Sequence, residues 1–157
     1  MKKQSAGVLL YRFIKNSMEI FLVHPGGPFW KNKDKGSWSI PKGEFKDDED
    51  ALDAAKREFC EETGSNISGQ FIKFSPIKQK SGKLIFCWAV QGDIDKEEIR
   101  SNTFELEWPP HSGAKQEFPE IDKSGWFNVT KAKEKIIPAQ AALIDELMEK
   151  VKEKGAD

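Results

Sequence analysis

The stretch GEFKDDEDALDAAKREFCEETGS, running from Gly43 to Ser65, decides how this sequence folds. Ala51, Leu52, Ala55 and Phe59 recur at three- and four-residue intervals, the period of an amphipathic helix. Asp47 or Asp48 is the expected N-cap, acids crowd the first turn where the helix dipole favours them, and Gly64 closes the helix. Beside the apolar stripe, Glu58, Glu61 and Glu62 stand at i, i+3 and i+4 and share an arc of roughly 100°. Three carboxylates that close repel one another and, unpaired, weaken the helix. A bound divalent cation relieves the conflict: Mg²⁺ takes oxygen ligands, keeps several waters and accepts phosphate oxygens from a substrate. A solvated acidic face has the same spacing, so the helix alone leaves both readings open.

Around this stretch lies a chain of 157 residues with a formal net charge of −1. The balance is a cancellation. Residues 1–46 carry nine basic and three acidic side chains, residues 47–62 two and eight, and residues 63–157 fourteen and fifteen. Only the first segment has cations in excess, which excludes a broad nucleic-acid-coating surface. Eleven Phe and five Trp exclude wholesale disorder, and two Cys are too few for a disulfide scaffold. The apolar run Leu84 to Val90 is too short to span a bilayer, and Met1-Lys2-Lys3 leads into no signal-peptide core. Cys60 and Cys87 read as free thiols, so a cytoplasmic protein without a membrane is expected. With no repeat or long linker, residues 1–157 read as a single domain, monomeric or homodimeric.

Ser5 to Ile14 and Met18 to His24 read as strands joined by a turn. A broken segment follows, in which Phe29 and Trp30 pack the loop and Trp38 to Ile40 is extended before Pro41. Further strands are expected at Gln70 to Phe74, Leu84 to Gln91, residues 101–108 and Gly125 to Val129, with an irregular stretch at Pro109 to Lys115. A second helix starts near Pro138. Strands interleaved with two helices, without regular βαβ alternation, imply a mixed α/β sandwich. His24 and His111 have no second His or Cys at metal spacing and read as structural.

Gly43, Glu49 and Arg57-Glu58-Phe59-Cys60-Glu61-Glu62-Thr63-Gly64 together resemble the Nudix box, with every fixed residue present. A chance match is on the order of 10⁻⁸ per start position. Ser65 departs from the aliphatic residue usual there, a change that bears on packing at the helix exit. The resemblance extends to Ser5 to Leu10, to Pro41-Lys42-Gly43 and to Glu120 to Phe127. It implies an α/β fold, the Nudix α/β/α sandwich with a mixed β-sheet. It also implies hydrolysis of a pyrophosphate bond in a nucleoside diphosphate linked to another moiety.

By that resemblance, Glu58, Glu61, Glu62 and the Gly43 carbonyl hold Mg²⁺, with Mn²⁺ as a substitute, while Arg57 and Glu49 pair to keep helix and loop in register. Glu58 is the first choice as general base, and Glu120, with Glu117 near it, is the rival. Pro41-Lys42-Gly43 looks more like the dinucleoside-polyphosphate and diphosphoinositol branches than like the oxidised-nucleotide sanitisers. Substrate contacts are expected from Lys42, from Lys78 and Lys80 on distal phosphates, and from Trp108 stacking on a base, although solvated turn lysines are the more ordinary reading of Lys78 and Lys80 and a packed indole explains Trp108 equally. The alternatives are a housecleaning pyrophosphohydrolase for non-standard triphosphates and a silent nucleotide-sensing module. The intact carboxylates rank the sensor last.

Overall fold

The computed structural model describes residues 3–95, 97 and 99–154. Strands β1 (Gln4–Ile14) and β2 (Ser17–Pro25) form a hairpin turned by Lys15 and Asn16, both at positive φ, as a two-residue turn between right-twisted strands requires. The remaining elements are β3 (Lys42–Glu44), α1 (Ala51–Thr63), β4 (Ile72–Lys73), β5 (Ile77–Lys78), β6 (Leu84–Gln91), β7 (Thr103–Glu107), β8 (Lys115–Pro119), β9 (Ile121–Asn128), α2 (Val129–Lys135), a 3₁₀ turn (Pro138–Gln140) and α3 (Ala141–Lys154).

The main sheet has the order β4-β6-β1-β2-β9, with β3 added to β1 and β5 to β6. It is mixed, because β1 and β6 run parallel while the other pairs are antiparallel. Strand alternation sorts the core into two layers. Ala6, Val8, Leu10, Phe21 and Val23 face Ala54, Ala55 and Phe59 of α1. Leu9, Tyr11, Ile20 and Leu22 face Leu143, Ile144 and Leu147 of α3. This is the expected α/β/α sandwich.

Phe59 is fully buried and packs on Phe21, with ring centroids 6.4 Å apart. Its burial contributes about 2–3 kcal/mol and pins α1, so that Glu58 and Glu62 on the same side of the helix are drawn inward with it.

One edge of β1 serves two partners. Tyr11 to Ile14 pair with β2, whereas Ser5 to Gly7 pair with β3. Between them runs the segment Trp38 to Pro41: the Val8 N–H donates to the Pro41 carbonyl at 3.1 Å, and Val23 and Ser39 exchange backbone bonds of 2.9 Å. The wedge holds β2 away from the start of β1 and opens a cleft beside β3.

Several local expectations change. The N-cap is Asp50, whose carboxylate accepts from the Asp53 N–H at 3.1 Å, rather than Asp47 or Asp48. Residues 101–108 form a strand only over β7, which pairs with β8 as a separate two-stranded sheet beyond the irregular stretch. The last strand begins at Ile121, and Val129 opens α2, capped by Asn128. Residues Gln70 to Phe74 are strand only at β4, and Pro138 starts a 3₁₀ turn ahead of α3. Among the described residues no helix is long and apolar enough to cross a membrane.

Candidate active site

Helix α1 presents its carboxylates to β3. Glu58 and Glu62 are buried, with 8% and 9% of their surface exposed, while Glu61 is half-buried. Glu62 Oε1 accepts from the Lys42 N–H at 3.3 Å, tying α1 to β3. Gly43 leaves room for the Glu58 carboxylate: a Cβ at residue 43 would stand 2.0 Å from Glu58 Oε2. At the helix exit Gly64 takes φ 77°, and its N–H donates to the Cys60 carbonyl at 2.7 Å.

Arg57 binds three of the acids. Its Nε and Nη2 form a two-pronged pair with Glu49 at 2.8 and 2.9 Å, while Nη1 donates to Glu58 at 2.8 Å and to Glu61 at 3.2 Å. A fork–fork bond fixes direction as well as charge, so Arg57 fastens the helix to the loop preceding it. The bond holds the Glu49 carboxyl below its ordinary range, and the three acids raise the guanidinium.

The cleft, about 190 Å³, is lined by Val23, Pro25, Trp30, Ser39, Ile40, Lys42, Glu62, Glu120, Ile121 and Ile137. Burial pushes the Glu62 carboxyl up to about 8, aided by the negative charge of Glu58. Burial and Glu61 likewise raise Glu58 and Glu120. Lys42 is held below its usual value by burial and by Lys83 nearby. Among the described residues, Glu120 has no side-chain hydrogen bond, unlike Glu58, which Arg57 occupies.

The structure brings Glu49, Arg57, Glu58, Glu61, Glu62, Gly43, Lys42 and Glu120 together around α1. Other candidates lie elsewhere. Lys78 and Lys80 are exposed at the β5 edge, outside the cleft lining; Lys83 instead reaches Glu44 at 3.1 Å and bears on Lys42. Trp108 does not line the cleft but packs edge-on against Phe29, with centroids 5.4 Å apart. Glu117 is exposed on β8 and accepts from the Thr103 hydroxyl at 2.8 Å. The indole at the cleft is Trp30, with Lys33 Nζ 5.1 Å above its ring. Its sequence signal was an aromatic in a loop between Pro28 and three lysines, which packing explained equally well.

A buried carboxylate ladder facing a glycine that excludes Cβ, set in an α/β/α sandwich, has a counterpart among known families: the NUDIX domain model matches residues 1–147. The chain belongs to the Nudix family. As a Nudix hydrolase it is a pyrophosphohydrolase.

Among solved structures, it resembles the NUDIX domain of Shewanella oneidensis NrtR complexed with ADP ribose (TM-score 0.66, 14% identity, covering 96% of this chain and 89% of that one). It also resembles a C. elegans Ap4A hydrolase binary complex (0.64, 19%, 96% and 98%). MutT from Aliivibrio salmonicida and Vibrio cholerae is a third likeness (0.55, 15%, 94% and 96%). At these identities the likeness is one of fold. No curated protein matches the sequence.

The acids of this Nudix hydrolase fit a hard divalent cation in donor type and charge, since all are oxygen donors and burial, aided by their mutual repulsion, raises Glu58 and Glu62. Among the described residues no three Asp, Glu, His or Cys side chains converge closely enough to hold an ion as they stand. Arg57 is the cation lying on two of them. To share an ion these acids would have to draw closer together, while the Glu49 fork keeps the guanidinium anchored.

The raised Glu62 carboxyl has a measurable consequence in metal-free protein. Between pH 4.5, the ordinary value, and about 8, folded protein keeps a proton that the unfolded chain releases. The Glu62 contribution to stability is therefore lost as pH rises through that window, by on the order of 5 kcal/mol. Chemical denaturation should show this slope in wild type relative to Glu62→Gln, and saturating Mg²⁺ should flatten it. Parallel pH dependences of the two proteins would remove Glu62 as the titrating group.

Proposed function

We propose that this Nudix hydrolase is Mg²⁺-dependent and cleaves a pyrophosphate bond in a nucleoside polyphosphate, with dinucleoside polyphosphates as the leading substrate class. The observation that carries the reading is the composition of the cleft: Lys42, Glu62 and Glu120 beside the indole of Trp30. Polyphosphate needs cations and base needs an aromatic face. When bound, the metal would neutralise phosphate charge and lower the pKa of a coordinated water.

Glu58, Glu61, Glu62 and the Gly43 carbonyl are the groups that would hold it. Lys42, beside Glu62 and Glu120 in the cleft, meets a phosphate oxygen, and Trp30 stacks on the base. Hydrolysis adds water across the anhydride: a P–O bond forms to the water oxygen, the bridging P–O bond breaks, and a carboxylate receives the proton. Sequence favours Glu58 for that step. The absence of a side-chain bond supports Glu120 instead: both carboxyls are raised, but Glu58 is bonded to Arg57, whereas among the described residues Glu120 is not bonded. Residues 1–157 act as one Nudix domain, and the free thiols Cys60 and Cys87 suit a reducing cytoplasm.

Product analysis with Mg²⁺ over diadenosine tetraphosphate, ordinary and oxidised nucleoside triphosphates, nucleotide sugars, ADP-ribose and inositol pyrophosphates tests this reading. The dinucleoside polyphosphate should have the highest kcat/KM, and EDTA should abolish turnover. Preference for an oxidised triphosphate would assign the housecleaning role instead.

A further inference from the structure

His24 is fully buried and touches no group of the carboxylate cluster, yet it sits between Val23 and Pro25, both of which line the cleft. Its Nε2 lies 2.6 Å from the Lys33 carbonyl oxygen. A carbonyl only accepts, so Nε2 carries a proton and donates. Nδ1 lies 2.8 Å from Asp122 Oδ1, and the two hold one further proton between them. The ring also packs edge-on to Trp38 at 5.2 Å. Bonded at both nitrogens, it has a single orientation and joins three segments: β2, the loop carrying Trp30, and β9.

Asp122 is itself an irregularity. Across the β2–β9 pair, His24 stands opposite Lys123 and Pro25 opposite Ile121, so Asp122 is an extra residue in a β-bulge. Bulges re-aim neighbouring side chains. Two residues earlier, Glu120 is held by its backbone: its N–H donates to the Asn102 carbonyl and its carbonyl accepts from the Gly26 N–H, both at 2.8 Å. Asn102 in turn donates to the Glu61 carbonyl at 2.9 Å, which leads back to α1. At Gly26 a Cβ would stand 2.0 Å from the Pro119 carbonyl oxygen, so the two backbones touch. If the bulge slid by one residue, the strand would present the opposite face at each position, and Glu120 would leave the cleft.

We propose that the His24–Asp122 pair is a positioning element that locks this bulge, keeping Glu120 turned toward Glu62 and Lys42 and the Trp30 loop against the cleft. The proposal rests on the reading of Glu120 as the group that receives the proton. Both residues act through Glu120 and neither touches substrate.

Asp122 is partly exposed, so its variants fold more readily than changes at His24. Asp122→Ala should lower kcat by about 10- to 100-fold with little change in KM. Asp122→Asn should stay close to wild type, since its amide can donate to Nδ1 while Nε2 keeps Lys33. Combined with Glu120→Gln, Asp122→Ala should cost nothing further. Equal losses in the Ala and Asn variants, or losses that multiply with Glu120→Gln, overturn the proposal.

Amide exchange at Gly26 gives a readout independent of turnover. It should rise by about tenfold in Asp122→Ala, and unchanged exchange defeats the lock whatever the enzyme hydrolyses. Faster exchange in a protein that cleaves nothing on the panel would instead refute the assigned reaction and leave the lock standing.

Discussion

Replacing Glu62 with Gln is expected to lower kcat by about 10³-fold or more, roughly 4 kcal/mol of transition-state stabilisation, while the protein keeps its fold. Gln is isosteric with Glu and can still accept from the Lys42 N–H through its amide oxygen, so the link between α1 and β3 survives. What disappears is a negative charge buried at the cleft floor, together with its raised proton affinity. Removing that charge relieves Glu58 and Glu120, which bear on Glu62 electrostatically, so the metal-free variant should be no less stable than wild type near pH 8. Stability gained while turnover collapses is the signature of a carboxylate kept for chemistry rather than for packing. Steady-state kinetics with saturating Mg²⁺ and a denaturation curve decide it. Wild-type turnover in Glu62→Gln would remove this residue from the metal-binding set, and Glu61→Gln tests its half-buried neighbour by the same criterion.

Glu62 was readable from sequence because its relation to Glu58 and Glu61 is local, written in i, i+3, i+4 spacing along one helix. The strands β1, β2 and β6 were readable for a similar reason: each buries long apolar runs. Strand β8 was not, since only Phe118 of its five residues is even half-buried, and residues 108–114, which join it to β7, read as irregular because of Pro109, Pro110 and Gly113. Helix α2 escaped notice because it is seven residues long and buries Ala132 alone. The cleft wall was hidden for a deeper cause. Trp30, Ser39 and Ile137 meet Glu62 only because the Trp38 to Pro41 wedge parts β1 from β2, and no spacing in the chain records that separation. Charge counts mislead in the same way. Lys78 and Lys80 stand beside a turn just as Lys83 does, yet Lys83 alone of the three is bonded to Glu44 and bears on Lys42.

Gly43→Ala should be nearly as damaging to turnover as loss of a carboxylate, for a steric reason. Residue 43 is not in the left-handed region and pairs regularly with Ala6, so alanine can adopt its backbone conformation without strain. The obstacle is the added Cβ, which would lie 2.0 Å from Glu58 Oε2 and 2.1 Å from Cδ. Those atoms end a flexible side chain, so the carboxylate swings aside and the sheet stays intact. Thermal stability should change by less than about 1 kcal/mol, within the range of ordinary substitutions. Turnover should fall by about 10²-fold or more, because a group displaced by ~1 Å no longer meets its partner. The two residues then act as one: Glu58→Gln should cost a large factor in wild type and little more in the Gly43→Ala background. If the two losses multiply, Gly43 serves the reaction by some route other than making room for Glu58. A fully active Gly43→Ala would mean that the Glu58 carboxylate works from a position other than the one it occupies against β3.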